Sequence, residues 1–238
     1  MQLDPKLPRV ALFDLDDTLA ESFQPPTPEM IQQLLKLLEY VPVAIITAAG
    51  FPRIETEFLD KMAISPHINR FYVFPNSASQ CYLREESGWR LEYSLDLNDE
   101  DRASIRRAIE ESLAETGIIE EHPKYAPHIV DRETQVAFIA IGLTASKEEK
   151  NAWDPDQSKR RALKQAIERH NPGYEVLIGG KTTIDITHKG IDKAYGVNWL
   201  IKRLGAPASE MLYVRPTWVF DRQTASARVR RGISDRFL

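Results

Sequence analysis

Residues Val10–Leu19 read Val-Ala-Leu-Phe-Asp-Leu-Asp-Asp-Thr-Leu: an apolar run of four, then three carboxylates and a threonine within five residues. Four apolar residues bounded by charge predict a strand buried on both faces rather than half of an amphipathic one. The carboxylates then fall just past its C-terminal end, where open α/β sheets place their ligands. Asp14 and Asp16 lie two residues apart, and Asp17 crowds them further. Negative charge gathered at the end of a buried strand costs stability unless a cation neutralises it. A hard divalent ion such as Mg²⁺ suits oxygen ligands that leave room for a phosphate. An acidic loop capping a helix is the plainer reading of the same residues.

The chain continues as alternating strands and helices. Thr27-Pro28 gives an N-cap followed by proline at the first helical position, and the helix runs to about Glu39 with an apolar face of Met30, Ile31, Leu34, Leu35, Leu37 and Leu38. Val43–Ile46 is a second buried strand ending at Thr47, helix signals resume after Pro52, and Phe71–Phe74 makes a third strand. This alternation predicts a parallel sheet with right-handed crossovers. From about Pro75 the character changes. Residues 81–84 and 89–93 alternate around Glu86-Ser87-Gly88 as a hairpin, and residues 99–118 form a charged helix. Strands over 136–141, 174–178 and 183–186, with a second helix over 158–170, complete an α+β module inserted into the parallel-sheet domain. Its borders are placed near 80 and 186, so that residues 1–79 and 187–238 make the core.

The Asp14-Leu15-Asp16-Asp17-Thr18 segment in its strand context resembles motif I of the haloacid dehalogenase (HAD) superfamily of phosphotransferases. The resemblance implies an α/β fold with a HAD-like Rossmannoid parallel sheet and an inserted α+β cap. It also implies a nucleophilic Asp14 that forms an aspartyl-phosphate, and an Asp16 that protonates the leaving group and then activates water. Thr18 is expected to help hold the local turn. Thr47 resembles motif II, whose hydroxyl binds the transferring phosphoryl group; alone it is a threonine ending a strand. The segment from His188 to Ala194 resembles motif III, in which a lysine at a helix start offsets the surrounding negative charge. Lys193 follows the Gly-x-Asp turn at the family's spacing, with Lys189 second. A lysine that merely solvates a helix start is disfavoured, because a cation there opposes the helix dipole.

The inserted module resembles the class IIB (Cof-type) branch, and within it the cap of eukaryotic-type phosphomannomutases. The carrying segments are Asp131–Thr134, Ser146–Lys150 and Ile178–Asp185. Such a cap excludes water and selects substrate. The resemblance implies substrate-binding roles for Arg132, Lys150 and Asp185, although surface charge is an equally simple reading of Arg132 and Lys150. Lys150 stands where the family has arginine, and Leu143 where it has a third. Lysine lacks the bidentate fork and leucine has no donor, so this cap suits a sugar monophosphate better than the bisphosphate a mutase must hold. The expected activity is that of a Mg²⁺-dependent phosphatase on a small phosphomonoester such as a sugar phosphate. A phosphohexomutase and a non-catalytic or inactivated member are the alternatives.

The pattern breaks after Met211–Val214. The resemblance calls for Gly-Asp and then Asn-Asp, the acids that complete the magnesium site with Asp14 and Asp16. The chain has Arg215-Pro216-Thr217-Trp218-Val219-Phe220-Asp221, leaving Asp221 as the nearest acid. Residues 1–214 carry 12 Lys and 13 Arg, whereas residues 215–238 carry no Lys and 6 Arg. No final buried strand is expected there. A reading-frame slip near codon 215 accounts for both changes; a lineage-specific tail is the alternative.

A net charge of −4 gives no reason to expect nucleic acid or an anionic membrane surface. No segment approaches transmembrane length, and the first residues lack a signal-peptide pattern. The single cysteine, Cys81, excludes an internal disulfide and suits a reducing cytoplasm. The expected partner is therefore a small phosphorylated metabolite, with the chain cytoplasmic and acting as a monomer or homodimer. Sequencing the coding DNA tests the tail: a frame slip requires that a shifted frame encode Gly-Asp directly after Val214, and its absence from every frame establishes a genuine tail.

Overall fold

Buried strands alternate with helices as the hydrophobic pattern requires, and the chain divides into two units, residues 1–94 with 192–238 and residues 95–191. The computed structural model describes residues 7–21, 24–62, 65–118, 125 and 128–215, and the backbone of 230–231. The first unit opens with β1 (Val10–Phe13), α1 (Pro28–Tyr40), β2 (Val43–Ile46), α2 (Phe51–Glu57), β3 (Phe71–Phe74), β4 (Gln80–Glu85) and β5 (Gly88–Ser94). Helix α1 starts where the sequence says it should. The Thr27 hydroxyl accepts the Met30 N–H at 3.2 Å and Pro28 occupies the first turn, where its missing N–H costs nothing. Its Ile31, Leu34 and Leu38 are buried.

The second unit contains α3 (Asp99–Thr116), β6 (Ile129–Asp131), β7 (Gln135–Ile139), α4 (Lys147–Trp153), α5 (Ser158–His170), β8 (Tyr174–Gly179) and β9 (Thr183–His188). The chain then returns to the first unit with α6 (Lys193–Leu204), β10 (Met211–Val214) and the two-residue β11 (Arg230–Arg231). Among the described residues no helix is long and apolar enough to cross a membrane.

The main sheet runs β11-β10-β1-β2-β3-β4-β5 and is mostly parallel. Strand β1 is central, pairing with β10 on one side and β2 on the other. Its core has two faces. Leu12, Ile46 and Phe74 pack with Val197 and Leu200 of α6 on one face, while Ile45 and Val73 pack with Leu34 of α1 and Ile54 of α2 on the other. Layering on both faces explains why β1 and β2 are continuous apolar runs.

Two expectations about the unit borders are corrected. The hairpin β4–β5, expected in the inserted module, extends the main sheet antiparallel to β3, with Tyr72 opposite Leu83. Cys81 and Leu83 are buried in the same cluster as Leu12 and Ile46, and Tyr82 stacks on Phe51 at 3.6 Å between ring centroids. Burial against this core, which the hairpin's alternation alone could not assign, moves the module's start from near 80 to Leu95. At the other end β9 stays paired with β8 as far as His188, so the module closes at Ile191 rather than near 186. In the tail the two-residue β11, which the sequence pattern did not predict, pairs in parallel with β10.

The module folds on its own four-stranded sheet, β6-β7-β9-β8. Val136, Phe138, Ile184 and Ile186 pack with Ile105 and Ile109 of α3 and Leu163 and Ile167 of α5. It also holds a short helix beyond the two expected, α4, started by a capping box between Ser146 and Glu149. Buried Arg160 donates to Asp154 at 2.8 Å and to the Gly180 carbonyl, tying α5 to the β8–β9 turn.

Helix α6 ends at Gly205, whose φ of +59° lies in the left-handed region, and a Cβ there would meet nothing within 4 Å. Only backbone strain opposes a side chain at that point. Gly205→Ala is therefore expected to cost about 1–2 kcal/mol, read as a lower urea midpoint with an unchanged slope.

Candidate active site

The register of β1 against β2 places Phe13 opposite Ile45, so the next residues, Asp14 and Ile46 with Thr47 beyond, emerge together from the C-terminal edge of the sheet. Strand β10 fixes the other side, where the Asp14 N–H donates to the Val214 carbonyl at 3.0 Å. Beyond Asp14 the chain coils tightly around the Leu15 carbonyl, which accepts N–H groups from Thr18, Leu19 and Ala20 at 3.3, 2.9 and 3.2 Å. Asp17 takes φ +58°, a conformation Asp tolerates better than most residues. The Thr18 hydroxyl, expected to help hold this turn, is buried without a hydrogen-bond partner among the described residues, and the turn rests on backbone bonds instead.

Asp14 Oδ2 accepts from Lys193 Nζ at 2.5 Å, and Asp14 Oδ1 accepts the Leu15 N–H at 2.9 Å. Lys193 is the first residue of α6. Asp192 caps that helix, its Oδ1 accepting the Ala194 and Tyr195 N–H groups at 2.8 and 3.1 Å. The capping carboxylate offsets the positive end of the dipole that Lys193 must face. Lys189, the second candidate, belongs to the other unit, where its amine lies 3.4 Å from Glu175 and donates to the Tyr174 carbonyl.

Asp16 is engaged differently. Arg53, the third residue of α2, donates to Asp16 Oδ1 at 2.9 Å and to Oδ2 at 3.1 Å, a two-pronged guanidinium–carboxylate pair. Arg53 Nε donates to Glu57 at 2.9 Å one turn along the helix. Burial works to lower the Arg53 pKa. Hydrogen bonding and charge attraction from Asp16, then Glu57, outweigh it and hold the guanidinium above its ordinary value. The sequence reading missed Arg53. The signal was available, because a cation in the first turn of a helix opposes the dipole just as Lys193 does.

Thr47 is buried, and its hydroxyl accepts the Ala49 N–H at 3.1 Å, leaving its own O–H to donate. The Thr47 carbonyl accepts the Ser77 N–H at 2.8 Å, and the Ala49 carbonyl accepts the Asn76 N–H at 2.9 Å. Asn76, Ser77 and Ala78 carry φ of +49°, +57° and +73°, a buried left-handed turn with no glycine in it. Such residues cost about 1–3 kcal/mol each and persist only where their surroundings over-determine them.

In the module, Arg132 lies 3.6 Å from the carboxylate of Asp185, which is buried in β9 and also accepts from Gln135 at 3.3 Å. Gly179 is required beside it, since a Cβ there would sit 2.3 Å from Asp185 Oδ2. The Lys150 amine donates to the Leu143 carbonyl at 3.0 Å, and burial lowers its pKa.

The described residues do not complete a magnesium site. Mg²⁺ demands near-octahedral oxygen coordination, yet among the described residues no three His, Cys, Asp or Glu side chains converge. Asp14 is held by Lys193, and both oxygens of Asp16 are held by Arg53. Asp221 lies outside the described residues.

The family model for haloacid dehalogenase-like hydrolases matches residues 93–214, just over half of the chain. The chain belongs to the haloacid dehalogenase-like hydrolases. Curated relatives of this hydrolase chain include the phosphomannomutase of Spinacia oleracea, 26% identical over 196 residues that cover 80% of this chain and 76% of the relative. A probable phosphomannomutase of Caenorhabditis elegans is 24% identical over 199 residues, covering 81% and 76%. Among solved structures, the IMP-bound IMP-nucleotidase of Plasmodium falciparum overlays with a TM-score of 0.63 at 15% identity. The overlay covers 88% of this hydrolase chain and 58% of the nucleotidase, so the chain spans under two thirds of that protein's length. A HAD phosphatase from Bacteroides thetaiotaomicron gives 0.54 at 17% identity, covering 90% and 79%. At these identities the likeness establishes the shared fold. Enzymes of this superfamily generally use Mg²⁺.

Asp192→Ala is expected to remove about 1 kcal/mol of stability through the lost cap, measured by urea unfolding. Asp192→Ser, which still caps, should recover most of it.

Proposed function

We propose that this chain is a phosphatase that hydrolyses a small phosphomonoester, a sugar phosphate by preference, through an aspartyl-phosphate. The observation that carries the reading is the Asp14 carboxylate held against Lys193 at the end of a buried central strand. A carboxylate fixed there is an oriented nucleophile, and the neighbouring ammonium supplies charge where phosphoryl oxygens would accumulate it. Asp14 attacks phosphorus in line with the leaving oxygen. Asp16 handles the proton of the leaving group and then of the attacking water. The Thr47 hydroxyl donates to one phosphoryl oxygen and Lys193 to another. Arg132, Lys150 and Asp185 are assigned to substrate recognition on the module, and the expected ligand is a small phosphorylated metabolite.

A phosphohexomutase is the second reading, favoured by the names of the curated relatives. Transfer between two positions of a bisphosphate needs cations for both phosphates. Of the module's candidates, Arg132 is shared with Asp185 and Lys150 is tied to a carbonyl, which supports hydrolysis of a monophosphate over mutase chemistry.

Phosphate release from a panel of hexose phosphates, assayed with magnesium and with chelator, tests the proposal. Asp14→Asn should lower release by about 10³-fold or more while the fold persists. Turnover that requires a sugar bisphosphate and liberates no phosphate would establish the mutase, and release unaffected by Asp14→Asn would overturn both readings.

A further inference from the structure

We infer that the outer edge of the main sheet is a homodimer seam, where β5 pairs antiparallel with β5 of a second copy about a two-fold axis at Leu91. The seam does not depend on the phosphatase reading. Strand β5 ends the seven-stranded sheet, so among the described residues no further strand receives the N–H and C=O groups on its far side. Such an edge is a template for another strand, and proteins that keep it single cover or obstruct it. The module's own outer strand shows obstruction. On β8 the Tyr174 carbonyl accepts from Lys189 at 3.3 Å, and the Val176 carbonyl accepts from Lys164. On β5, among the described residues, no side chain bonds to the backbone of residues 88–93.

The residues of the edge say which strand fits it. Leu91 is flanked by Arg90 on one side and Glu92 on the other. A two-fold axis through Leu91, normal to the sheet, sets the two strands antiparallel and keeps every side chain on its own face. Arg90 of each copy then stands opposite Glu92 of the other, and the two leucines stand opposite one another. Cross-strand pairs of opposite charge and of apolar side chains are the ones that stabilise a ladder. The side chains are placed for this. Arg90 and Glu92 lie 2.7 Å apart on one face, across the point where the β4–β5 register shifts and Glu92 is the extra residue. Leu91, opposite Tyr82 on the neighbouring strand, is 44% exposed, unusual for a large apolar side chain in this chain. The register is also specified against its neighbours. A shift of one residue either way sets Leu91 against a charge, and a shift of two sets Arg90 against Arg90 or Glu92 against Glu92.

Sedimentation velocity of the full chain across a dilution series, with folding followed by circular dichroism, tests the seam. The wild type is expected to pass from dimer to monomer on dilution, and amide exchange at residues 88–92 to slow as the dimer forms. Arg90→Glu leaves only acids along the seam and Glu92→Arg only bases. Each variant alone should therefore raise the dimer dissociation constant by on the order of tenfold or more. Mixed in equal amounts, the same two variants set acids against bases and should recover the dimer. Leu91→Lys puts like charges on the axis and should sediment as a monomer.

Damage to the fold by either charge substitution would not be cured by mixing two damaged chains. A mixture that dimerises no more tightly than its components overturns the inference. So does a dimer that survives all three substitutions, since its interface then lies elsewhere. A wild type that stays monomeric at every concentration overturns it too; the edge then takes another protein's strand or, blunted by Arg90, Glu92 and the bulge, none. Should the substituted chains fail to fold, exchange in the wild type decides. Protection of residues 88–92 that rises with concentration upholds the seam, and dimerisation without it overturns the seam.

Discussion

Two carboxylates at the end of a strand buried on both faces must be neutralised locally, because the strand end gives them limited access to water. Each receives a cation from the first turn of a different helix: Lys193 from α6 for Asp14, Arg53 from α2 for Asp16. The first turn is the least favourable place for a cation, since the dipole already presents positive charge there. The chain offsets this at each helix with a further carboxylate, Asp192 capping α6 and Glu57 one turn along α2. The charges therefore form two cation-centred groups rather than an open acidic cluster.

Helix placement depends on that arrangement, and packing enforces it. The strained turn at Asn76–Ala78 bonds to the carbonyls of Thr47 and Ala49 at the end of β2. On its other side Ala78 faces Gly196 of α6, where an added Cβ would come within 2.9 Å of the Ala78 Cβ. The turn thus sits between the strand end that carries Thr47 and the helix that carries Lys193. Tyr93 of β5 donates to the Ala78 carbonyl at 2.9 Å, which draws the hairpin into the same support. Conformational cost concentrated in three buried residues is tolerable because these contacts leave them no alternative.

The sequence made the central strands, the helix starts and the order of the elements legible, because each rests on local signals. The apolar runs of β1, β2 and β3, the Thr27-Pro28 start of α1 and the Gly117 end of α3 are visible to anyone counting residues. Asp14 and Lys193 were legible as a pair only through a resemblance that spans 179 positions of chain, and the structure brings them into contact. What stayed hidden were long-range choices. The hairpin's alternation fits an edge of either sheet, and only the packing of Cys81, Tyr82 and Leu83 decides between them. Arg53 carries the same first-turn signal as Lys193, but its partner shows only when β1 and α2 are placed side by side. Thr18 misled in the opposite way, since its hydroxyl suggested a turn-holding bond that the backbone makes instead.

The position of the break in pattern has a structural meaning of its own. Strand β10 ends at Val214, the family match ends at Val214, and the Val214 carbonyl is the group that anchors the Asp14 N–H. The backbone bond and the cation that hold Asp14 in register are therefore supplied before the composition changes. Lys193, Thr47, Arg53 and Asp16 all precede it as well. The acids that the resemblance leads one to expect would follow this strand, and Asp221 lies outside the described residues. Residues up to 214 therefore orient Asp14 and pair it and Asp16 with fixed cations. Lys193 and Arg53, both supplied before that point, meet the electrostatic demand that the two aspartates create.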